Sequence, residues 1–320
     1  MKTKHFNRLF LSITFLLTGI AAASESSLSI QNQIEEKWDR FQAGREFALF
    51  KPHKPDGEIS AEYAALSALR RQIWDAPEYE LSAHLLSSDL VRAPHCVAFD
   101  FNNTVPYYNA STIYLDGKTY IACEGPRSKD VPAFFRLLSS QGVTHLVRLT
   151  SPFEGWTKKC HPYWDGIVSE SEGKAFLNIP SADGIHQVEA FHMDRWIDNQ
   201  GVDPEELLNL VLQVRKELND QTLLLVHCSA GVGRTGTFLA ALAIVDAIDR
   251  NEPFSIEEIV FRLSLQRVHS VSKISQYFTL YKLADAYLYT NEFKNWEFGK
   301  EAAQIFASGA NDHCRMARRE

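Results

Sequence analysis

The 320 residues, 45% hydrophobic and 23% charged, supply one large core or two modest ones, which excludes disorder and a disulfide miniprotein. Five cysteines are too few and too scattered for a disulfide framework, and no Cys/His cluster has zinc spacing, so neither a metal nor another cofactor is expected. A formal net charge of -7 excludes the basic stripe of a nucleic-acid binder.

In chain order, Lys2, Lys4 and Arg8 precede an apolar run from Leu9 to Ile20, and Ala21-Ala22-Ala23 supplies the small residues a signal peptidase accepts. Residues 1–23 are therefore predicted to be a secretory signal. The apolar run, a helix of about 18 Å, falls short of the roughly 30 Å hydrocarbon core. The mature protein is expected to be secreted or periplasmic, without an integral membrane segment. Ser29 to Phe50 is helix-patterned through Ile34, Trp38, Phe41 and Phe47. Lys51-Pro52-His53-Lys54-Pro55-Asp56-Gly57 breaks it, so residues 24–59 read as an appended helix and linker.

A helix through Tyr63, Leu66 and Leu69 follows, then strands and turns between Val97 and Ala122. Asp130 and Pro132 open a helix ending near Gly142, and Val143 to Leu149 is a buried-strand run. Pro204 to Leu218 is a helix, Thr222 to Val226 an apolar strand, and Arg234 to Arg250 a buried helix. Ser255-x-x-Glu258 is a capping box opening the next helix, and the last covers Gln276 to Leu288. Residues 291–320 read as a polar tail.

The chemistry lies in His227-Cys228-Ser229-Ala230-Gly231-Val232-Gly233-Arg234-Thr235-Gly236, between that strand and the buried helix. A loop with glycines can turn its N–H groups toward one point, and the following helix adds its positive end. Ser229, Ala230, Gly231, Val232 and Gly233 thus form a predicted phosphate cradle. Cys228 opens it and Arg234 closes it, so a bound phosphate meets a nucleophilic sulfur on one side and a guanidinium fork on the other. Gly231-x-Gly233-x-x-Gly236 also fits a dinucleotide fingerprint. That reading needs a second strand with an acid about 20 residues on, and Ser255 begins a helix instead.

The loop resembles the His-Cys-x5-Arg-(Ser/Thr)-Gly signature of the cysteine-dependent protein tyrosine phosphatases. The resemblance runs from about Ser60 to Tyr289, through Tyr108-Asn109-Ala110-Ser111, Tyr120-Ile121-Ala122-Cys123-Glu124-Gly125-Pro126 and Lys159-Cys160-x-x-Tyr163-Trp164. It implies a catalytic domain over residues 60–290 with an α/β fold, a twisted mixed central sheet flanked by helices on both faces. It also implies hydrolysis of phosphotyrosine in proteins, or of another phosphate monoester, through a phosphocysteine on Cys228.

Trp196-Ile197-Asp198 resembles the family's mobile Trp-Pro-Asp loop, which makes Asp198 the general acid and replaces the proline by Ile197. By the same resemblance Thr235 assists departure of the thiolate, and Glu154, five residues before Lys159, holds Arg234. Gln276 positions water, with Ser272 where the family has a partner glutamine. His227 is expected as a buried hydrogen-bonding neighbour of Cys228 and not as a base. Ala93 stands where the family places an aromatic ring beside phosphotyrosine, and His95 near where an acid usually holds the peptide. Three alternatives follow: a dual-specificity phosphatase, an inositol polyphosphatase drawing on Lys158, Lys159, Arg127 and Lys129, and a phosphotyrosine-binding module with little turnover.

Overall fold

The computed structural model describes residues 30–290 apart from 43–44, 77–78, 87–88, 90 and 183. The expected signal at 1–23 and the tail at 291–320 lie outside the described residues, as does Cys314. Helix α1 occupies residues 30–42, and α2 (Asp56–Trp74) and the single turn α3 (Ala83–Leu86) follow. The sheet strands are β1 (Asn103–Val105), β2 (Tyr108–Leu115), β3 (Lys118–Cys123), β4 (His145–Arg148), β7 (Val168–Ser171), β8 (Lys174–Ser181), β9 (Gly184–His192) and β10 (Leu224–His227), with β5 (Phe153–Glu154) and β6 (Thr157–Lys158) forming a separate hairpin. The remaining helices are α4 (Val131–Ser140), α5 (Pro204–Glu217), α6 (Gly233–Asp249), α7 (Ile256–Gln266) and α8, residues 274–290.

The eight-stranded sheet runs β1-β2-β3-β10-β4-β9-β8-β7. Its centre, β3-β10-β4-β9, is parallel, while β1, β2, β8 and β7 extend it antiparallel on both sides. All four residues of β10 are buried, as expected of a strand covered on both faces. Its side chains alternate: Leu224 and Val226 join the core under α5, α6 and α7, and Leu225 joins the core under α4. The fold is therefore α/β with a mixed sheet between helices, as the sequence predicts. Such sheets present their sites at the carboxyl ends of the parallel strands, and Cys228 directly follows β10.

Local chemistry sets the helix ends. Asp203 caps α5 by accepting from the Glu205 and Glu206 N–H groups at 3.0 Å, and Pro204 occupies its first turn. Ser255 accepts from Glu258 N–H at 3.2 Å to start α7. Only this half of the expected capping box is present, because the Glu258 carboxylate is engaged by Arg262 at 3.1 Å.

The amino-terminal segment departs from expectation. The helix predicted over Ser29 to Phe50 is confined to 30–42, and residues 45–50 are not helical. Tertiary packing overrides the aromatic periodicity: Phe47 stacks on Trp38 with centroids 5.4 Å apart, Phe50 stacks on Phe254 at 5.0 Å, and Phe50 N–H donates to Phe254 O at 2.7 Å. Nor is the segment an appendage, since Trp38 is buried in the main core. The linker expected up to residue 59 ends early, because α2 starts at Asp56 behind Pro55, and a boundary at residue 60 falls inside that helix.

Candidate active site

At the end of β10 the chain turns through Cys228–Val232 and enters α6 at Gly233. Gly231 has φ +72°, and a Cβ there would lie 2.0 Å from the Cys123 carbonyl oxygen, so only glycine fits. Its N–H donates to Cys228 Sγ at 3.2 Å. From behind, the fully buried Arg267 donates to the carbonyls of Gly231 (2.5 Å) and Ala230 (3.3 Å). Ser229 is fixed as well, its hydroxyl donating to Lys159 O at 3.0 Å and its carbonyl accepting from Gly125 N–H at 2.9 Å. Withdrawing these carbonyls from the concave side leaves the N–H groups and the α6 amino end to define its charge.

His227 is a scaffold residue, as the sequence reading expected. Its Nδ1–H donates to Cys228 O at 3.0 Å, which leaves Nε2 to accept from the Tyr163 hydroxyl at 2.7 Å. Burial, with the nearby arginines, pushes its pKa down to about 3, so the ring is neutral and holds the first peptide of the loop.

Arg234, at 0% exposure, is the hub. Its Nη1 donates to Glu154 Oε1 at 2.7 Å and to Trp196 O at 2.6 Å, and Nη2 lies 3.2 Å from Asp198 Oδ1. Nε and Nη2 make no hydrogen bond among the described residues, and neither does the hydroxyl of buried Thr235. Buried donors left this way are costly unless a ligand takes them up.

The β5–β6 hairpin and the Trp196–Asp198 loop meet over this arginine. Glu154 Oε2 accepts from Asp198 N–H at 2.8 Å, and Lys159 Nζ donates to Asp198 Oδ2 at 2.8 Å. Trp196 is buried, its indole N–H donating to Gln200 O at 2.9 Å. Burial works to raise the Asp198 carboxyl, but the Lys159 hydrogen bond and the charges of Arg234 and Lys159 outweigh it and hold the group below the ordinary carboxylate range. A Cβ on Gly233 would lie 2.6 Å from Ser272 Oγ and 3.0 Å from Gln276 Nε2, which puts both residues against the start of α6.

The structure thus joins Arg234, Glu154, Lys159, Trp196 and Asp198 into one bonded cluster, with Cys228 at the other end of the loop that Arg234 closes and Ser272 and Gln276 beside the start of α6. Cys96, Cys123 and Cys160 are buried free thiols. Sequence reasoning missed Arg267, whose guanidinium donates both to the loop carbonyls and, through Nη1, to Ser111 Oγ at 2.9 Å in the Tyr108–Ser111 motif, so that motif was the signal that could have found it. Ala93 is half-buried and caps a single 3-10 turn, Pro94–Cys96. Preceding it, Arg92 donates to the carbonyls of Gly125 (3.1 Å) and Lys158 (3.3 Å).

The sequence model of the family described as protein-tyrosine phosphatase matches residues 90–180 and 174–285. The chain is 29% identical over 221 residues to receptor-type tyrosine-protein phosphatase eta of Gallus gallus, a span of 62% of this chain and 15% of that protein. It is 26% identical over 271 residues to receptor-type tyrosine-protein phosphatase alpha of Mus musculus, covering 74% of this chain and 32% of the relative. It therefore spans a minor part of each relative's length. Among solved structures, the Trypanosoma brucei protein tyrosine phosphatase superposes with TM-score 0.63 at 24% identity, covering 73% of this chain and 92% of the other. The catalytic domain of human protein tyrosine phosphatase non-receptor type 18 gives 0.65 at 22% identity, covering 72% and 96%, and that human protein has also been solved with HER2 phospho-peptides. These structures share the fold, and the sequence match extends over more than half of the chain, which belongs to the protein-tyrosine phosphatase family.

Proposed function

We propose that the protein hydrolyses phosphotyrosine in protein substrates through a phosphocysteine on Cys228. The observation that carries this reading is the fully buried Arg234, hydrogen-bonded through Nη1, with Nε and Nη2 making no hydrogen bond among the described residues and Nη2 facing the Asp198 carboxylate, closing the loop that Cys228 opens. In the first step Cys228 Sγ attacks phosphorus and the P–O bond to the tyrosine breaks. The three equatorial oxygens are met by the loop N–H groups and the Arg234 fork, and the leaving oxygen takes the proton of the Asp198 carboxyl. In the second step water attacks the phosphocysteine, Asp198 carboxylate takes its proton, and the P–S bond breaks to release inorganic phosphate.

Asp198 begins as a carboxylate paired with Arg234 and Lys159. A phosphate dianion that engages Arg234 neutralises that cation and moves the carboxyl upward, so substrate binding itself arms the acid. Phosphotyrosine is favoured over inositol polyphosphates because three of the four auxiliary cations are engaged, Arg127 with Asp130 at 2.6 Å, Lys129 with Asp89, and Lys159 with Asp198, which leaves the exposed Lys158. That the human non-receptor type 18 protein binds phospho-peptides supports the same substrate class. The half-buried Ala93 favours a second reading, dual specificity, since a methyl group at that wall selects weakly against phosphothreonine.

The test is initial rates on a phosphotyrosine peptide, a phosphothreonine peptide and inositol hexakisphosphate, side by side in chelator. The phosphotyrosine peptide is expected to lead. Dependence on a divalent ion, or binding of all three without turnover, overturns the reading. Export rests on residues 1–23 alone and is checked by amino-terminal sequencing of protein recovered outside the cytoplasm, with cleavage expected near Ala23.

A further inference from the structure

Phosphate recognition by Arg234 and the loop N–H groups is common to every phosphate monoester, so selection must come from what flanks the cradle. On one flank the chain from Arg92 to Cys96 carries a methyl group at Ala93 and an exposed imidazole at His95. On the other run residues 267–272. Arg267 binds the carbonyls of Ala230 and Gly231, Ser270 and Val271 lie within 3 Å of where a Gly236 Cβ would stand, and Ser272 touches Gly233. His269 sits in the middle of this second flank. Its ring lies 6.0 Å from that of His95, so the two flanks meet through imidazoles, and its other contact is Trp74, at 4.3 Å and 40% exposed at the end of α2.

The backbone here is unusual. His269 has φ +61° and Val271 φ +54°, a conformation that is a steric outlier for a β-branched residue. Such strain persists only where the surroundings over-determine it. They do so here: buried Arg70 of α2 donates to Ser270 O at 2.8 Å and Val271 O at 3.2 Å, and the Tyr63 hydroxyl donates to Val271 O at 3.3 Å. The effect is to fix the backbone next to His269, whose ring meets those of Trp74 and His95. Burial, with His95, Arg70 and Lys273, pushes the His269 pKa down to about 4, so at neutral pH the ring is uncharged.

We propose that His269, backed by Trp74, is the aromatic wall against which the ring of phosphorylated tyrosine packs, and so the residue that sets the preference for phosphotyrosine over phosphothreonine. The assignment rests on the phosphotyrosine reading given above. A phenyl ring meets His269 by stacking, whereas a threonine phosphate is too short to bring any ring there. A purely structural His269, holding the His95 turn through its hydrogen bond to the His95 backbone, would affect both substrates alike.

The test uses His269→Asn, which removes the ring but tolerates positive φ, and His269→Phe, which keeps a neutral ring. Both are assayed on phosphotyrosine and phosphothreonine peptides of the same sequence. His269→Asn is expected to lower kcat/KM for phosphotyrosine about threefold to tenfold, mainly through KM, and to change phosphothreonine by less than about twofold. His269→Phe is expected to restore the ratio, and Trp74→Ala to shift it in the same direction as His269→Asn. Equal losses on both peptides, or an unchanged ratio in His269→Asn, overturn the assignment and leave the phosphatase reading intact. A wild type without phosphotyrosine turnover that Cys228→Ser abolishes overturns both.

Discussion

Arg234 carries two kinds of work at one side chain in the proposed reaction, because Nη1 is committed to Glu154 and the Trp196 carbonyl while Nε and Nη2, the latter facing Asp198 at 3.2 Å, make no hydrogen bond among the described residues. Lysine cannot divide itself this way. Arg234→Lys is therefore expected to lose both affinity and rate, and Cys228→Ser to abolish turnover, in single-turnover assays on a phosphotyrosine peptide. Asp198→Ala should slow hydrolysis by about 10²–10⁴-fold while binding survives, with a smaller loss for good leaving groups; a harmless substitution would move the acid elsewhere. Lys159 offers a sharper check of the same carboxyl. Because its cation stabilises the Asp198 carboxylate, Lys159→Met raises the pKa of the acid, and the protonated form survives to higher pH. The descending alkaline limb of kcat/KM against pH should move upward, and a limb that stays or moves down contradicts the assignment.

At the scale of elements, the strand, loop and helix of the proposed phosphate cradle are contiguous in sequence, and their order could be read there. The chemistry requires sulfur and guanidinium at a fixed spacing, and β10 and α6 are apolar enough to announce themselves. Glu154, Lys159 and Asp198 were legible through ordered motifs, and each proves to touch Arg234 or a residue bonded to it. The parts that were not read act largely on main-chain carbonyls across long separations: Arg267 on Ala230 and Gly231, besides the Ser111 hydroxyl, and Arg70 on Ser270 and Val271. A side-chain pattern carries no record of which carbonyl needs a donor. Arg70→Met leaves the Ser270 carbonyl without its donor and Val271 O with the Tyr63 hydroxyl alone, at a cost of about 1–3 kcal/mol. Thermal unfolding should show a lower Tm, with Arg70→Lys recovering part of the loss; an unchanged Tm in Arg70→Met would mean water replaces the guanidinium at no cost.

For the molecule as a whole, the amino-terminal segment belongs to the catalytic core. Trp38 is 5% exposed, stacks on Phe47, and lies beneath the Arg262 guanidinium at 3.8 Å. Trp38→Ala is expected to destabilise the whole domain by about 3–5 kcal/mol, measured by denaturant unfolding; a loss near zero would make the segment the appendage that aromatic spacing suggested. Reading Ser29 to Phe50 as one helix failed because spacing reports which residues are apolar, while packing against Phe254 and Phe261 decides where the helix stops.

Stability should also depend on pH through His227. The folded ring stays neutral down to about 3, against 6.5 ordinarily. The unfolded chain therefore binds a proton first, and the contribution is complete above about 6.5 and lost progressively as pH falls toward 3. The Tm gap between wild type and His227→Gln should accordingly narrow as pH is lowered from 7 to 4, and a constant gap would refute a neutral buried ring.

The Trp196–Asp198 loop carries an optical consequence. Trp196 is 1% exposed and shares its loop with the acid, whereas Trp156, on the hairpin that supplies Glu154, is fully exposed. If the loop that bears Asp198 opens as the family resemblance implies, the neighbouring indole is expected to gain contact with water, where indole emission shifts to longer wavelength. Trp196 would then serve as a fluorescent reporter of loop position. With Trp156→Phe to remove the fully exposed indole, stopped-flow emission would time any closing of the loop over an oxyanion such as vanadate, without any attached dye.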